Sequence, residues 1–130
     1  MEYLGLHYIA EYHDCDMDVL NSVSEIEDIL IEAARLSGAT IVKPMFHQFF
    51  PHGVSGVVVI EESHFSIHTW PEYGFAAVDL FSCSKIDFNA ALEHIRNGLS
   101  PGQFSVSLIE RGTGVQENKN PVPPMMKELT

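Results

Sequence analysis

The sequence predicts a two-layer α+β sandwich in which two helices cover one face of an antiparallel sheet. Three observations predict this class. Two segments carry apolar residues at helical spacing, six segments have the pattern of strands, and turn residues separate most of them. The 130 residues, 45% of them hydrophobic, suffice for one domain with a buried core. We expect this domain to span residues 1–111 and the polar segment 112–130 to be a mobile tail.

The first third of the chain predicts a strand followed by a clearly marked helix. Residues 3–13 mix apolar and polar positions as a strand does, and residues 14–18 form a polar turn. Ser22 and Glu25 have the spacing of a capping box, in which the serine caps the helix and the glutamate bonds back to it. Ser37-Gly38 ends the helix, whose apolar stripe consists of Ile26, Ile29, Leu30, Ala33 and Leu36.

The rest of the domain predicts a run of strands, a second helix and a last strand. Turns at residues 51–53 and 71–74 separate predicted strands that span residues 39–50, 55–62, 64–70 and 75–83. Asp87 caps the second helix, and residues 103–110 form the last strand. One face of this helix carries Phe88, Ala91, Leu92, Ile95 and Leu99.

Two continuous apolar runs predict that both faces of the sheet are covered. Residues 57–60 read VVVI and residues 75–81 read FAAVDLF, whereas a sheet with one wet face alternates apolar and polar residues. The two helices can cover only one face. We therefore expect a homodimer in which the sheets of two copies stack face to face.

Charge and composition limit which kinds of partner the protein can bind and where in the cell we expect it. The formal charge of −11, from 18 acidic and 7 basic residues, argues against nucleic acid. No apolar run approaches the roughly 18 residues that span a bilayer. The N-terminus lacks the basic region and cleavage site of a signal peptide, so we expect a cytoplasmic protein without a membrane partner. Cys15, between acidic residues, is expected to be buried and structural. Cys83 ends a predicted strand beside two serines, and a chemical role for it is left open.

Polar residues interrupt the apolar runs between residues 55 and 83, which indicates a site because buried polar groups need partners. His64 and His68 would share a strand face, with His47 nearby, but no recognised metal-ligand spacing accompanies them. A serine hydrolase would need a nucleophile elbow, which the sequence lacks. We therefore expect neither a metal site nor a conventional catalytic triad.

The pair Glu62-Ser63 allows a different chemistry. A serine hydroxyl can attack the carbonyl before it and turn the amide into an ester, and β-elimination then cuts the chain and leaves a pyruvoyl group. That ketone forms a Schiff base with a substrate amine and acts as an electron sink. The reactions need an oxyanion donor, a base for the serine α-proton and an acid to reprotonate the product, roles that Ser55, His68 and Cys83 could fill.

Residues 46–83, FHQFFPHGVSGVVVIEESHFSIHTWPEYGFAAVDLFSC, resemble the centre of the prokaryotic S-adenosylmethionine decarboxylase family, the short pyruvoyl-dependent proenzymes. The most specific features are the run ESHxxIHTWPE, Phe49 upstream of Ser55, and a cysteine fifteen residues after His68. The likeness covers roughly residues 3–84 and agrees with the predicted helix spacing. The resemblance implies an enzyme of polyamine biosynthesis with a two-layer α/β fold, forming dimers with shared active sites.

By position, the resemblance implies cleavage between Glu62 and Ser63, with Ser63 becoming the pyruvoyl cofactor. It makes Ser55 and His68 processing residues and Cys83 the catalytic proton donor. The substrate residues that it implies are Phe49, which stacks on adenine, Glu72, which holds the ribose hydroxyls, and Leu4, Phe65 and Trp70, which line the pocket.

Strand geometry adds a constraint to this assignment. Ser63 and His68 have opposite parity, so on a straight strand their side chains face opposite ways. The resemblance therefore requires a kink after cleavage or chain ends that part.

Four positions depart from the family pattern. Leu6 and Gln48 stand where a basic residue is usual, Glu61 replaces a serine and Ser84 a glycine. The added negative charge would suit a basic amino acid, so an arginine or ornithine decarboxylase derived from this family is the alternative. Phe49, Trp70 and Glu72 favour S-adenosylmethionine, because a small amino acid needs neither a stacking ring nor a ribose clamp. A processing-dead binding partner is a further alternative that no residue favours.

Overall fold

The computed structural model describes residues 2–115 and contains a single six-stranded sheet in that part of the chain. The strands are β1 (Gly5–His13), β2 (Ile41–Gln48), β3 (Val54–Ile60), β4 (Ser63–Trp70), β5 (Phe75–Ser82) and β6 (Gln103–Arg111). They lie in the order β2-β3-β4-β5-β1-β6, and every neighbouring pair is antiparallel. Two longer helices, α2 (Val23–Leu36) and α3 (Phe88–Leu99), pack on one face of this sheet. The predicted α+β class is confirmed.

Side-chain caps start both longer helices as predicted. The Ser22 hydroxyl accepts a hydrogen bond from the Glu25 backbone N–H at 3.3 Å, and the Asp87 carboxylate accepts from the Ala90 N–H at 3.0 Å. The reciprocal half of the capping box differs from the prediction, because the Ser22 N–H donates to the Val19 carbonyl at 3.0 Å. This carbonyl is available because the chain has just left a short helix.

That short helix, α1 (Met17–Leu20), corrects the predicted polar turn at residues 14–18. Asp16 is its cap and accepts hydrogen bonds from the backbone N–H groups of Asp18 and Val19, at 3.0 and 3.3 Å. Four residues are too few to show an apolar period, so the sequence pattern could not distinguish this helix from a turn. Leu20, its last residue, is fully buried and fixes it to the core.

The core lies between the helices and one face of the sheet. Alternate residues of β5 are buried, and the same alternation places Phe65 and Ile67 of β4 in the core with no exposed surface. Cys15 is also buried, and this burial, with the negative charge of Asp14 beside it, raises the pKa of its thiol to about 11. The predicted burial of Cys15 is confirmed.

The other face of the sheet, which we call the open face, is half-exposed. Val59 of the apolar run in β3 retains 40% of its accessible surface, and no helix among residues 2–115 covers it. At its centre, the carboxylate of Asp79 lies 3.1 Å from His7 Nε2, while Arg111 donates to His7 Nδ1 at 3.0 Å. Because arginine only donates, Nδ1 must accept, and the ring proton on Nε2 is donated to Asp79. A connected polar group thus lies on this face beside the apolar residues.

The end of the described region bears on the predicted tail. Gly112 to Val115 form a turn in which the Gly114 N–H donates to the Glu2 carbonyl at 3.3 Å. The remaining tail residues, 116–130, lie outside the described residues. In residues 2–115, none of the helices has the length and apolarity that crossing a bilayer requires.

Candidate active site

The Glu62-Ser63 peptide lies at the tip of the hairpin formed by β3 and β4. Ile60 pairs directly with Ser63, so Glu61 and Glu62 alone form the turn. The predicted strand at residues 55–62 was therefore two residues too long, because glutamate gives no turn signal. The Glu62 carbonyl oxygen accepts a hydrogen bond from the Cys83 backbone N–H at 3.2 Å. A donor thus already points at the carbonyl that the serine would attack.

Ser63 and Cys83 meet at the end of the sheet. Ser63 begins β4 and pairs with Ser82, the last residue of β5, so Cys83 follows immediately beside it. The Ser63 hydroxyl lies 3.8 Å from the Cys83 sulfur, and Cys83 is exposed. A short turn fixes this segment, since the buried Ser82 hydroxyl accepts from the Ser84 N–H at 3.0 Å. We call Ser63 and Cys83, with the Glu62 carbonyl, the cleavage cluster.

Ser55 and His68 form a second pair, on the open face. They are direct partners across β3 and β4, and the Ser55 hydroxyl lies 2.7 Å from His68 Nδ1. The two predicted processing residues are thus in contact with each other, but they do not lie beside the Glu62 carbonyl of the same chain. There the backbone N–H of Cys83 takes the donor position considered for Ser55, and no side-chain motif could have signalled it.

The two faces keep Ser63 and His68 apart. Ser63 has the parity of the buried residues Phe65 and Ile67, whereas His68 has the parity of the exposed Trp70. Five residues of strand also separate them, about 16 Å. The geometric constraint expected from strand parity therefore holds within one chain, and His68 cannot reach the α-proton of its own Ser63 in the uncleaved state.

The residues predicted to hold a nucleoside lie at the far end of the sheet. Trp70 ends β4 about 23 Å from Ser63, and the Glu72 carboxylate that soon follows lies 3.2 Å from His52 Nε2. Phe49 follows β2, is 46% exposed and packs edge-on against the His47 ring at 4.6 Å. These residues, Phe49, Trp70 and Glu72, with the Ser55–His68 pair, are called the recognition cluster.

Gln48 supports the loop that carries Phe49. Its side-chain amide donates to the Gly53 carbonyl at 3.0 Å and to the side chain of Asn21 at 3.2 Å. The Phe49 N–H donates to the same carbonyl at 2.8 Å. Gln48, which stands where the family usually has a basic residue, is therefore a neutral side chain that supports this loop through its hydrogen bonds.

A cavity of about 710 Å³ adjoins the cleavage cluster on the helix side of the sheet. Its wall is largely apolar and includes Leu4, Leu6, Tyr8, Cys83, Ile86 and Phe88. Leu4 and Cys83 line the same cavity, and Leu6 gives an apolar surface where a basic residue would have placed a charge. Phe65, also predicted to line the substrate pocket, lies fully buried in the core, whereas Leu4, Phe49 and Trp70 are partly exposed.

The three histidines considered for a metal site each have a different partner. His47 packs on Phe49, His64 lies 6.0 Å from the Phe81 ring, and His68 bonds to Ser55. Within residues 2–115, His, Cys, Asp and Glu side chains form no group of three or more that could hold a metal ion.

Comparisons with known proteins agree on one family. The family model for S-adenosylmethionine decarboxylase matches residues 6–112. The chain is 60% identical over 123 residues to the S-adenosylmethionine decarboxylase proenzyme of Thermosipho africanus, covering 91% of this chain and 95% of the relative. It is 52% identical over 113 residues to the proenzyme of Thermotoga maritima, covering 86% and 87%. The crystal structure of the adenosylmethionine decarboxylase from Aquifex aeolicus superposes with a TM-score of 0.83 at 36% identity, over 93% of this chain and all of that one.

Proposed function

Because the chain belongs to the S-adenosylmethionine decarboxylase family, we propose that it is a proenzyme that cuts itself between Glu62 and Ser63 and then decarboxylates S-adenosylmethionine. The observation that carries the proposal is the cleavage cluster, in which the scissile carbonyl already has a hydrogen-bond donor, the Cys83 N–H at 3.2 Å. The family name of the relatives supports the reaction, and the order of residues around Ser63 supports the cofactor.

Self-cleavage begins as an isomerisation of the Glu62-Ser63 peptide. The Ser63 hydroxyl oxygen bonds to the Glu62 carbonyl carbon and gives up its proton, the C–N bond breaks, and the nitrogen leaves as an amine. Negative charge develops on the Glu62 oxygen in between, where the Cys83 N–H can stabilise it. Removal of the Ser63 α-proton then breaks the bond between Cβ and Oγ and releases Glu62 as a carboxylate. Hydrolysis of the resulting dehydroalanine gives the pyruvoyl group and ammonia.

The residues around Ser63 fit a pyruvoyl cofactor. A pyruvoyl group supplies a ketone that condenses with the substrate amine and accepts electrons as CO2 leaves. The cavity of about 710 Å³ beside Cys83 has the volume of a small-molecule site and would receive the part of the substrate that reacts at Ser63. The Cys83 thiol lies 3.8 Å from the Ser63 hydroxyl, which supports the proposal that it returns a proton to the substrate carbon.

A homodimer with shared active sites explains why the two clusters are separate. The open face carries half-exposed apolar residues, including Val57 and Val59, that a second copy would cover. Suppose that two copies stack their open faces about a two-fold axis, with the strands of one copy antiparallel to those of the other. The end of one sheet that carries the cleavage cluster then lies over the end of the other sheet that carries the recognition cluster. His68 of the partner subunit, with the rest of its recognition cluster, would then lie beside Ser63 of the first. Because Ser63 has the parity of the core-facing residues, this arrangement still requires the first residue of β4 to turn toward the open face, either before cleavage or when cleavage frees it.

Coexpression of two inactive variants tests the shared site. Cys83→Ala damages the cleavage cluster and Glu72→Ala the recognition cluster, so each alone should lose most decarboxylation. In a mixed dimer, one of the two shared sites has both residues intact, and half of randomly formed dimers are mixed. Coexpression should therefore restore about one quarter of the wild-type activity.

The control for this experiment is a mixture of the two proteins after each has been chemically cross-linked as its own dimer, which should stay inactive. Inactivity of the coexpressed pair, with mixed dimers demonstrated by two different affinity tags, would show that each site belongs to one chain.

The substrate is tested by comparing CO2 release from carboxyl-labelled S-adenosylmethionine, arginine and ornithine. We expect turnover of the first alone, because the cavity wall at Leu6 is apolar and Phe49 and Glu72 are present to hold a nucleoside. Turnover of arginine or ornithine without S-adenosylmethionine would establish the alternative derived from the altered charges.

A further inference from the structure

Glu62 has a backbone conformation that its side chain disfavours. Its φ angle is +63°, in the left-handed region where the Cβ of an L-residue comes close to the carbonyl oxygen. Within residues 2–115, the other non-glycine residues with positive φ are Asp14 and Ser100, two short polar types that suit turns and helix ends. Glutamate has no such local compensation.

The turn geometry imposes this conformation. In a two-residue turn whose second central residue has positive φ, glycine is strongly preferred at that position. Here the position is occupied by Glu62, because Ile60 and Ser63 pair directly on either side.

Hydrogen bonds from two other segments hold the turn in place. The Glu61 N–H donates to the Thr40 carbonyl at 2.8 Å, and the Cys83 N–H donates to the Glu62 carbonyl at 3.2 Å. Strained backbone persists where such surrounding contacts over-determine it.

We propose that the left-handed conformation of Glu62 is stored strain that accelerates self-cleavage, which makes Glu62 a positioning residue of the processing reaction. This inference rests on the proposed function. In the peptide, one planar amide joins Glu62 to the Ser63 α-carbon. In the ester, the connection runs through Oγ and Cβ, which lengthens it by one atom and adds single-bond rotations. Glu62 can then begin to leave the left-handed region, and it is free to do so once β-elimination makes it a chain end.

The test compares Glu62→Gly with Glu62→Ala. Both variants lack the carboxylate, but only alanine keeps a Cβ and hence the strain at positive φ. We expect the Gly variant to cleave at least about fivefold more slowly than the Ala variant, measured as the first-order loss of full-length chain on denaturing gels after synthesis in a cell-free system. Equal rates, or faster cleavage of the Gly variant, would overturn the proposal.

A second measurement separates strain from a merely loosened turn. In an uncleavable Ser63→Ala background, relief of strain should raise the urea midpoint of Glu62→Gly above that of Glu62→Ala. A lower midpoint for the Gly variant would attribute its slow cleavage to flexibility and refute stored strain.

Ser100→Gly is the matched control, because it relieves a positive φ of +49° at the end of α3, far from the cleavage cluster. It should leave the cleavage rate at the wild-type value. If the wild-type chain does not cleave at all, the proposed function fails; if it cleaves and the Gly and Ala variants behave alike, only the strain proposal fails.

Discussion

The Ser63→Ala variant should remain a single uncleaved chain, whereas the wild type should separate into fragments 1–62 and 63–130. The substitution removes the only atom that can attack the Glu62 carbonyl by this route, so the expected loss of cleavage is complete. The fold should persist, because the Ser63 hydroxyl makes only a long contact of 3.8 Å with the Cys83 sulfur. A denaturing gel and intact-mass measurement check the result, and circular dichroism checks the fold.

Ser66→Ala is the control for this experiment. Ser66 lies on the same strand but faces Asp79, to which its hydroxyl donates at 3.4 Å, so cleavage should proceed normally. Cleavage that survives Ser63→Ala would refute the mechanism. A wild-type chain that never cleaves and releases no CO2 would instead favour the processing-dead binding partner.

Local signals in the sequence were sufficient to predict the two longer helices, α2 and α3, and the pairing register of β4 with β5. The turn predicted at residues 71–74 pairs Trp70 with Phe75, and counting back along both strands pairs Ser63 with Ser82. The position of that turn therefore predicts that Ser63 lies beside Ser82 and Cys83. The caps at Ser22 and Asp87 were equally predictable, because a short polar side chain precedes an apolar stripe in each case.

The hairpin at the cleavage site was harder to predict because its turn consists of two glutamates. The predicted boundary between the two strands at residue 63 assigns Glu61 and Glu62 to the first strand. Such an error matters because a shift of one residue in the pairing register moves every side chain to the opposite face of the sheet. The true turn pairs Ser55 with His68, and this contact depends on the same register. Glycine or asparagine would normally occupy a turn position with positive φ, and here glutamate occupies it, with a φ of +63°.

The separation of the two clusters could not be read from motif spacing. The residues from Ser55 to Cys83 are close in sequence, which suggests one compact site. The pleat and length of β4 instead distribute them over two faces and both ends of the sheet. A single chain therefore brings Ser63 to Cys83 and Ser55 to His68 but keeps the two pairs apart, which is the strongest structural support for the proposed shared site.

The Cys83→Ala variant should still cleave itself but should lose decarboxylation by about 100-fold or more, the usual contribution of a positioned acid. The reason is that residue 83 would act through two different atoms. Its backbone N–H holds the Glu62 carbonyl and is unchanged by the substitution, whereas its thiol would return the proton to the product. Gel analysis of cleavage and labelled CO2 release, measured on the same sample, separate the two roles.

Product analysis makes the prediction for Cys83 stricter. Without the thiol, the proton can return to the carbon derived from Ser63 instead of the substrate carbon. Hydrolysis of the C=N bond then releases the decarboxylated substrate as an aldehyde, leaves its nitrogen as an alanyl N-terminus on fragment 63–130, and ends turnover. Mass analysis of that fragment should detect the change. Cys15→Ala is the control, since Cys15 is buried in the core and both steps should continue. Full decarboxylation by Cys83→Ala would remove the thiol from the mechanism, and failure to cleave would mean that the side chain, rather than the backbone N–H, is what processing requires.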